Sequence, residues 1–336
     1  MNGIGYPLLF APVYKDYIWG GRRFAERYGR TGTPDVCAES WEISAHPDGM
    51  GRVANGPLAG ETLAALAARF GARLTGTRAP QPSRFPLLLK LIDARENLSV
   101  QVHPSDENAG LVGGEAKTEA WYVLGRTPSA LLYAGLKPGT TPDSFRVAMS
   151  QGTAPQQLFH LPIEPGEALF IPGGLVHAIG TGCLLFEVQQ NSNTTYRLFD
   201  WGRFDASGQP RPLHIQQAFQ VIDHNLAEPR MLRPAAPVPN PNGNDWQNVL
   251  TCRYFTLRRM ELRRTEALAT DGTTFHALFV LDGAAEITAG GVTVLLKAGT
   301  SCLIAASAKT FTLRPADSAS LLVTTLGTPC LISGGE

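Results

Sequence analysis

Long apolar runs, an excess of one charge and paired cysteines are all missing from this 336-residue chain. No stretch approaches the ~20 apolar residues that span a bilayer, and no charged start followed by a long apolar segment opens it. Lysine plus arginine number 29 and aspartate plus glutamate 29, so no global field recruits nucleic acid or an anionic surface. A small anionic substrate would have to be held by local basic groups. The five cysteines (Cys37, Cys183, Cys252, Cys302 and Cys330) form no C-x-x-C pair and are odd in number, which reads as reduced thiols. These absences predict a cytoplasmic protein with no membrane or nucleic-acid partner, and nothing in the chain implies a protein partner.

Turn formers, in contrast, are abundant. Thirty-five glycines and 25 prolines punctuate many short β-branched runs, which predicts a mainly β protein. Apolar spacing marks helices over 61–74 (Leu63, Leu66, Ala67, Phe70, Leu74) and 214–226 (Ile215, Phe219, Ile222, Leu226), and a shorter one over 142–149 with Pro142 in its first turn. At about 100–200 residues per domain, two domains are expected. Five prolines between Pro229 and Pro241, then Asn240-Pro-Asn-Gly-Asn244, read as an extended linker. The expected division is 1–233, a linker over 234–245, and 246–336. Beyond the linker, strands are predicted over 254–262, 275–281, 285–289, 292–296, 301–305 and 321–326.

The richest string is Gly166-Glu-Ala-Leu-Phe-Ile-Pro172-Gly-Gly174-Leu-Val-His177. Glu167 to Ile171 has strand character, Pro172-Gly-Gly174 forces a turn, and His177 stands where the chain re-enters a strand. Its spacing, G-x5-P-x-G-x2-H, resembles the second signature of the cupin β-barrel. The segment Gly299–Thr310 looks like a worn copy, with Ala305 in place of Pro172 and Thr310 in place of His177. Two cupin-like (jelly-roll) β-barrels are therefore expected, with the helices packed on the N-terminal half, no metal site in the second barrel and His276 structural.

Upstream, Ser99, Gln101 and His103 alternate with Leu98, Val100 and Val102, so the polar three share one strand face. Likewise Lys117, Glu119 and Trp121 share a face. Two histidines and a carboxylate suit zinc or, less specifically, iron, manganese or nickel. The lack of thiolate argues for an open catalytic site over a closed structural one. A hydrogen-bonded polar core without metal is the alternative.

Several strings in order resemble the type I mannose-6-phosphate isomerases: Pro12-Val-Tyr-Lys-Asp-Tyr-Ile-Trp-Gly-Gly21, Glu39-Ser-Trp-Glu-Ile-Ser-Ala-His46-Pro, Leu98-Ser-Val-Gln-Val-His-Pro-Ser-Asp-Glu-Asn108, Lys117-Thr-Glu-Ala-Trp-Tyr122 and Gln189-Gln-Asn-Ser-Asn-Thr-Thr-Tyr-Arg197-Leu-Phe-Asp-Trp201. Gln101-Val-His103 in place of His-x-His, and Glu119 standing 16 residues after His103, depart from the general cupin pattern and agree with that subfamily. The resemblance implies one zinc ion per chain on Gln101, His103, Glu119 and His177, an active-site arginine at Arg197 and a lysine near the metal at Lys117. It also implies an aldose–ketose isomerase that interconverts mannose 6-phosphate and fructose 6-phosphate through an enediol(ate). Lys117, Lys90, Arg197, Ser99 and His46 are candidates for the base and the phosphate anchor, with Ser99, Lys90 and Arg197 assigned to substrate binding. Asp200 is either an orienting partner of Arg197 or a packing residue. Another metal-dependent cupin enzyme, such as an iron dioxygenase or a different sugar-phosphate isomerase, and a non-catalytic sugar-binding cupin are the competing readings.

Overall fold

The computed structural model describes residues 3–204 and 208–328; Cys330 lies outside them. The chain forms two compact units that interleave in sequence. One comprises Tyr14–Ser40 and Leu91–Leu232, the other Met1–Val13, Trp41–Lys90 and Arg233–Glu336. The division expected along the chain, at 233 and 246, is contiguous; the compact units are not.

In the first unit, five antiparallel strands run in the order Tyr196–Phe199, Val100–Val102, His177–Ile179, Leu131–Leu136 and Leu158–Pro162. A second group places Glu119–Arg126 between Ala168–Ile171 and Cys183–Gln190. Strand alternation explains the burial. Trp121, Val123, Leu132, Leu169, Ile171, Ile179 and Leu185, drawn from both groups, join one apolar cluster. Residues of opposite parity (Val100, Val102, Val176, Ala178, Tyr196 and Leu198) join another with Phe145, Ala218 and Val221. Those last three belong to the helices Pro142–Ser150 and Ile215–Val221, which cover that face of the five strands. Pro142–Ser150 begins with a reciprocal cap between Thr141 and Ser144, which satisfies two of the N–H groups orphaned at a helix start.

In the second unit, the strands Val238–Pro239, Asp245–Thr251, Phe255–Leu262, Thr310–Leu326, His276–Ala289 and Val292–Lys297 pair in that order. Glu266–Ala269 adds to Thr310–Leu326, and Ser301–Ile304 adds to His276–Ala289. Met260, Leu278, Val280, Ile287, Ile304, Leu313, Leu321 and Val323 fill the core. The separate strands predicted over 275–281 and 285–289 are one continuous strand. Register shifts between Val280 and Asp282 and between Gly283 and Ala285 bend it, and Gly283 at φ +73° supplies the conformation that a bulge requires.

Two further expectations are corrected. The helix over 61–74 breaks at Gly71 into Leu63–Phe70 and Ala72–Thr75. This pair belongs to the unit that holds the C-terminal strands and is bonded to the turn after Ser301–Ile304, with Ala306 N–H donating to Leu74 O at 3.0 Å and Ser307 N–H to Arg73 O at 2.9 Å. The linker is also more ordered than its prolines suggest, because Val238–Pro239 pairs with Asp245 and Trp246. Asn240, Asn242 and Asn244 all donate side-chain N–H groups to Glu266 Oε2, at 2.9, 3.2 and 2.7 Å. Burial tends to raise the Glu266 pKa, yet the three amides hold it below its ordinary value. Among the described residues, no helix is long and apolar enough to cross a membrane, and Cys37, Cys183, Cys252 and Cys302 are free and buried.

A chain ending at Leu232 would strip Leu63, Leu66, Leu74 and Phe85 of the strands they pack with. We expect it to aggregate or to unfold without cooperativity in urea; a soluble fragment with a sharp transition would contradict the unit assignment. The His276 ring lies 5.3 Å from the Phe311 ring, tilted by 59°, and burial holds its imidazole down to about 4. The unfolded chain therefore binds the extra proton first, so stability present above the ordinary value of 6.5 is lost as pH falls from there toward about 4. Wild type should lose stability relative to His276→Phe as pH falls across that window, read from denaturation midpoints; parallel curves would remove His276 from the account.

Candidate metal centre

Register brings the site together. In the antiparallel pairing, His177 lies opposite Gln101, and Gln101 lies opposite Arg197. Directly opposed residues project to the same face, so these three side chains share the face that also carries Leu132 and Ile179. The turn before His177 is fixed from both sides. Gly174, at φ +91°, donates its N–H to His103 O at 2.8 Å, and a Cβ at Gly174 would meet Asp223 Cβ at 2.9 Å. The φ and the close approach together account for glycine here.

One ligand atom from each of His103, Glu119 and His177 falls within 4.8 Å of the others, and all three residues are buried. His177 Nε2 is 3.4 Å from Glu119 Oε1, and His103 Nε2 is 3.6 Å from Glu119 Oε2. The opposite edge of each imidazole is tied down: His103 Nδ1 meets Thr194 O and His177 Nδ1 meets Leu175 O, both at 2.8 Å. A carbonyl only accepts, so both Nδ1 atoms carry the proton, and each Nε2 turns a lone pair toward Glu119. Trp121 lies edge-on 5.4 Å from the His177 ring, and its indole N–H donates to Glu187 Oε1 at 3.0 Å.

Lys117 Nζ lies 2.6 Å from Glu119 Oε2 and 3.1 Å from His103 Nε2. Lysine and carboxylate form a buried ion pair. Burial pushes the Glu119 carboxyl up to about 8, against the pull of Lys117, and holds the His177 imidazole down to about 3. A divalent cation among these atoms would oppose the first tendency and reinforce the second. It would favour the ionised carboxylate and accept the two neutral imidazole lone pairs, so the donor set fits a metal ion.

Gln101 completes the ring. Its Nε2 sits 3.3 Å from His177 Nε2 and 3.5 Å from His103 Nε2, while Ser99 Oγ is 3.1 Å from its Oε1. Turning the amide over would aim Oε1 at the cluster and let Nε2 donate to the serine hydroxyl, which also accepts. Ser99 therefore serves Gln101 in either orientation. Arg197 is half-buried; its Nη1 reaches Pro212 O at 3.5 Å. Burial and then the charge of Arg211 lower its pKa.

Two further candidates have partners of their own. Lys90 and His46 belong to the other compact unit, where the Lys90 ammonium lies 5.0 Å from the centroid of the Trp41 ring and His46 Nδ1 accepts from Asp48 N–H at 3.1 Å. The partners of Asp200 are also not the expected ones. Its carboxylate takes hydrogen bonds from Arg203 and Arg211 instead of Arg197. Sequence reading missed these two arginines, Glu187 and the carbonyls of Leu175 and Thr194. Only the Phe199–Trp201 string hinted that a site element continues past Arg197.

Comparison with known proteins identifies the family. The model of the phosphomannose isomerase type I catalytic domain matches residues 8–123, and that of the mannose-6-phosphate isomerase cupin domain matches residues 246–323. The mannose-6-phosphate isomerase ManA of Bacillus subtilis is 34% identical over 310 residues, covering 89% of this chain and 92% of its own length. A probable mannose-6-phosphate isomerase of the same organism, GmuF, is 39% identical over 219 residues, covering 65% of this chain and 68% of its own length. The crystal structure of the mannose 6-phosphate isomerase from Bacillus subtilis superposes with a TM-score of 0.86 at 30% identity, covering 95% of this chain and 99% of that one. With a cupin-type β fold, a buried two-histidine, one-carboxylate cluster and relatives matched over nearly their full length, the chain belongs to the type I phosphomannose isomerase family.

Proposed function

We propose that this chain is a cytoplasmic, zinc-dependent isomerase that interconverts mannose 6-phosphate and fructose 6-phosphate through an enediol(ate). The observation that carries the reading is the shared face of Arg197, Gln101 and His177, with His103 and Glu119 closing the metal cluster beside them. Gln101, His103, Glu119 and His177 would hold the ion, Gln101 through its amide oxygen. Zinc supplies Lewis-acid polarisation of the sugar oxygens at C1 and C2, worth several kcal/mol in such reactions.

The chain's own groups do the rest. Moving a proton between C1 and C2 leaves developing negative charge on the neighbouring oxygens, and a guanidinium held on the same face stabilises it without reorganising. Arg197 has that position, one strand spacing of ~4.8 Å from Gln101. Lys117, buried against Glu119 and His103, is placed to hold or pass a proton near the metal. Trp121 packs on the His177 ring and shares an apolar cluster with Leu132 and Ile179, surroundings in which charge interactions are stronger than in water. Ser99 orients Gln101, and Lys90 is assigned to substrate binding on the resemblance alone.

His103→Ala and His177→Ala should each lose most bound zinc and most activity while the protein stays folded, since removing one of so few ligands sharply lowers affinity. Metal analysis beside circular dichroism and an isomerase assay decides this; full zinc occupancy with near-normal turnover would refute the ligand assignment. Arg197→Ala should lower kcat by roughly 10²–10³, the scale for losing one preorganised charge-stabilising donor, with zinc content unchanged. Arg197→Lys should recover part of the loss, because a point charge does not reproduce the planar fork. Steady-state kinetics that left both kcat and KM of the alanine variant unaltered would make Arg197 a bystander.

A further inference from the structure

After Arg197 the strand Tyr196–Phe199 runs into a four-residue turn, Asp200-Trp201-Gly202-Arg203, closed by Arg203 N–H donating to Asp200 O at 3.1 Å. Both central residues have positive φ, +58° at Trp201 and +67° at Gly202. This is the mirror-image turn that glycine, asparagine and aspartate ordinarily supply. Tryptophan is an uncommon occupant of such a conformation, and here its surroundings impose it. The indole N–H donates to Leu98 O at 2.7 Å, and the ring packs 5.6 Å from Phe199 and 5.7 Å from Tyr133. A strained turn held from several sides is a common feature of functional sites. What this one presents is the buried carboxylate of Asp200.

Asp200 grips two guanidiniums. Arg211 binds it bidentately, Nε to Oδ2 at 2.7 Å and Nη2 to Oδ1 at 2.5 Å. Arg203 binds through Nη2 to Oδ1 at 2.6 Å, and its Nη1 is tied to Asn97 O at 2.5 Å, so Arg203 is committed to the framework. Arg211 is not. With Nε and Nη2 engaged, its Nη1 has no partner among the described residues. Arg197 stands close enough for the Arg211 charge to depress its pKa. Two guanidiniums thus share one buried carboxylate, and Arg197 lies beside them, its Nη1 3.5 Å from the carbonyl of Pro212, the residue after Arg211. The unengaged Nη1 of Arg211 and the guanidinium of Arg197 offer charged N–H donors of the kind that bind phosphate oxygens. Ser99, by contrast, is committed to Gln101, and Lys90 lies against Trp41.

We infer that Arg211, clamped by Asp200 beside Arg197, anchors the phosphate of the sugar phosphate, and that Asp200 acts as its positioning residue. The inference rests on the isomerase reading above. It puts the reacting carbons at the metal cluster and the phosphate at the far end of the hexose, past Arg197.

Steady-state kinetics with mannose 6-phosphate, and competitive inhibition by inorganic phosphate, test it on the zinc-loaded full-length enzyme. Arg211 lies partly exposed, so Arg211→Gln should fold, which thermal unfolding checks. It should raise KM and the phosphate inhibition constant together, roughly 10- to 100-fold for a lost charged hydrogen bond, with kcat changed only a few-fold and zinc retained. Arg211→Lys should recover part of the loss. Asp200→Asn should raise KM similarly, and the double variant should be no worse than Arg211→Gln, because clamp and clamped group act as one unit. Unchanged KM and phosphate inhibition in Arg211→Gln would overturn the anchor, as would additive effects in the double variant. If wild type does not isomerise the sugar phosphate yet binds phosphate in an Arg211-dependent way, the anchor stands and the isomerase reading falls. If wild type isomerises and Arg211→Gln is indifferent, the anchor alone falls.

Discussion

The antiparallel row that sets Arg197 opposite Gln101, and Gln101 opposite His177, is the constraint from which the candidate site follows. Side chains on a strand alternate with period two, so a slip of one residue in either pairing would turn the affected row onto the opposite face. That opposite face is apolar and covered by the helices Pro142–Ser150 and Ile215–Val221. Burying a guanidinium or an imidazole there would cost far more than the ladder could return. The hydrophobic pattern thus enforces the register, and the register assembles the polar face.

Within that frame backbone carbonyls tie down the outer edge of each imidazole. Thr194 O and Leu175 O each take an Nδ1–H, which fixes tautomer and ring direction. The metal-facing edges are therefore set by the strand ends and the glycine turn, both parts of the scaffold. Glu119 arrives from the other strand group, opposite Gln189 and Ile171, so the cluster depends on two sheets meeting across one apolar core. Lys117 supplies a cation 2.6 Å from that carboxylate, and with it part of the charge balance of the buried cluster.

The arginines past the strand end follow a different logic. Asp200 gathers Arg203 and Arg211 at the edge of the site, at the cost of an unfavourable backbone conformation at Trp201. Local propensity and tertiary demand conflict at that residue, and tertiary demand prevails because the indole is hydrogen-bonded and packed on both sides. Conflicts of this kind tend to mark functional positions.

Much of this was legible in the residue order. The mainly β fold, the turn before His177, the shared face of Gln101 and His103, and the pairing of Lys117 with Glu119 all follow from period-two alternation and from what glycine and proline do to φ, which are local rules. Several features were out of reach for the same reason, since no local rule connects residues distant in sequence. The grouping of Leu63–Phe70 with the C-terminal strands depends on long-range packing. So does the ordering of the proline-rich stretch by Glu266, an acceptor that becomes available to three asparagines only once its strand is paired. Asp200 next to Arg197 in sequence suggested a partnership, but a turn of the backbone hands its carboxylate to Arg203 and Arg211. Sequence by itself determined which side chains can share a strand face, because alternation needs only neighbours. Tertiary structure decided which faces meet and which charges pair, because those depend on the register of strands brought together from far apart in the chain.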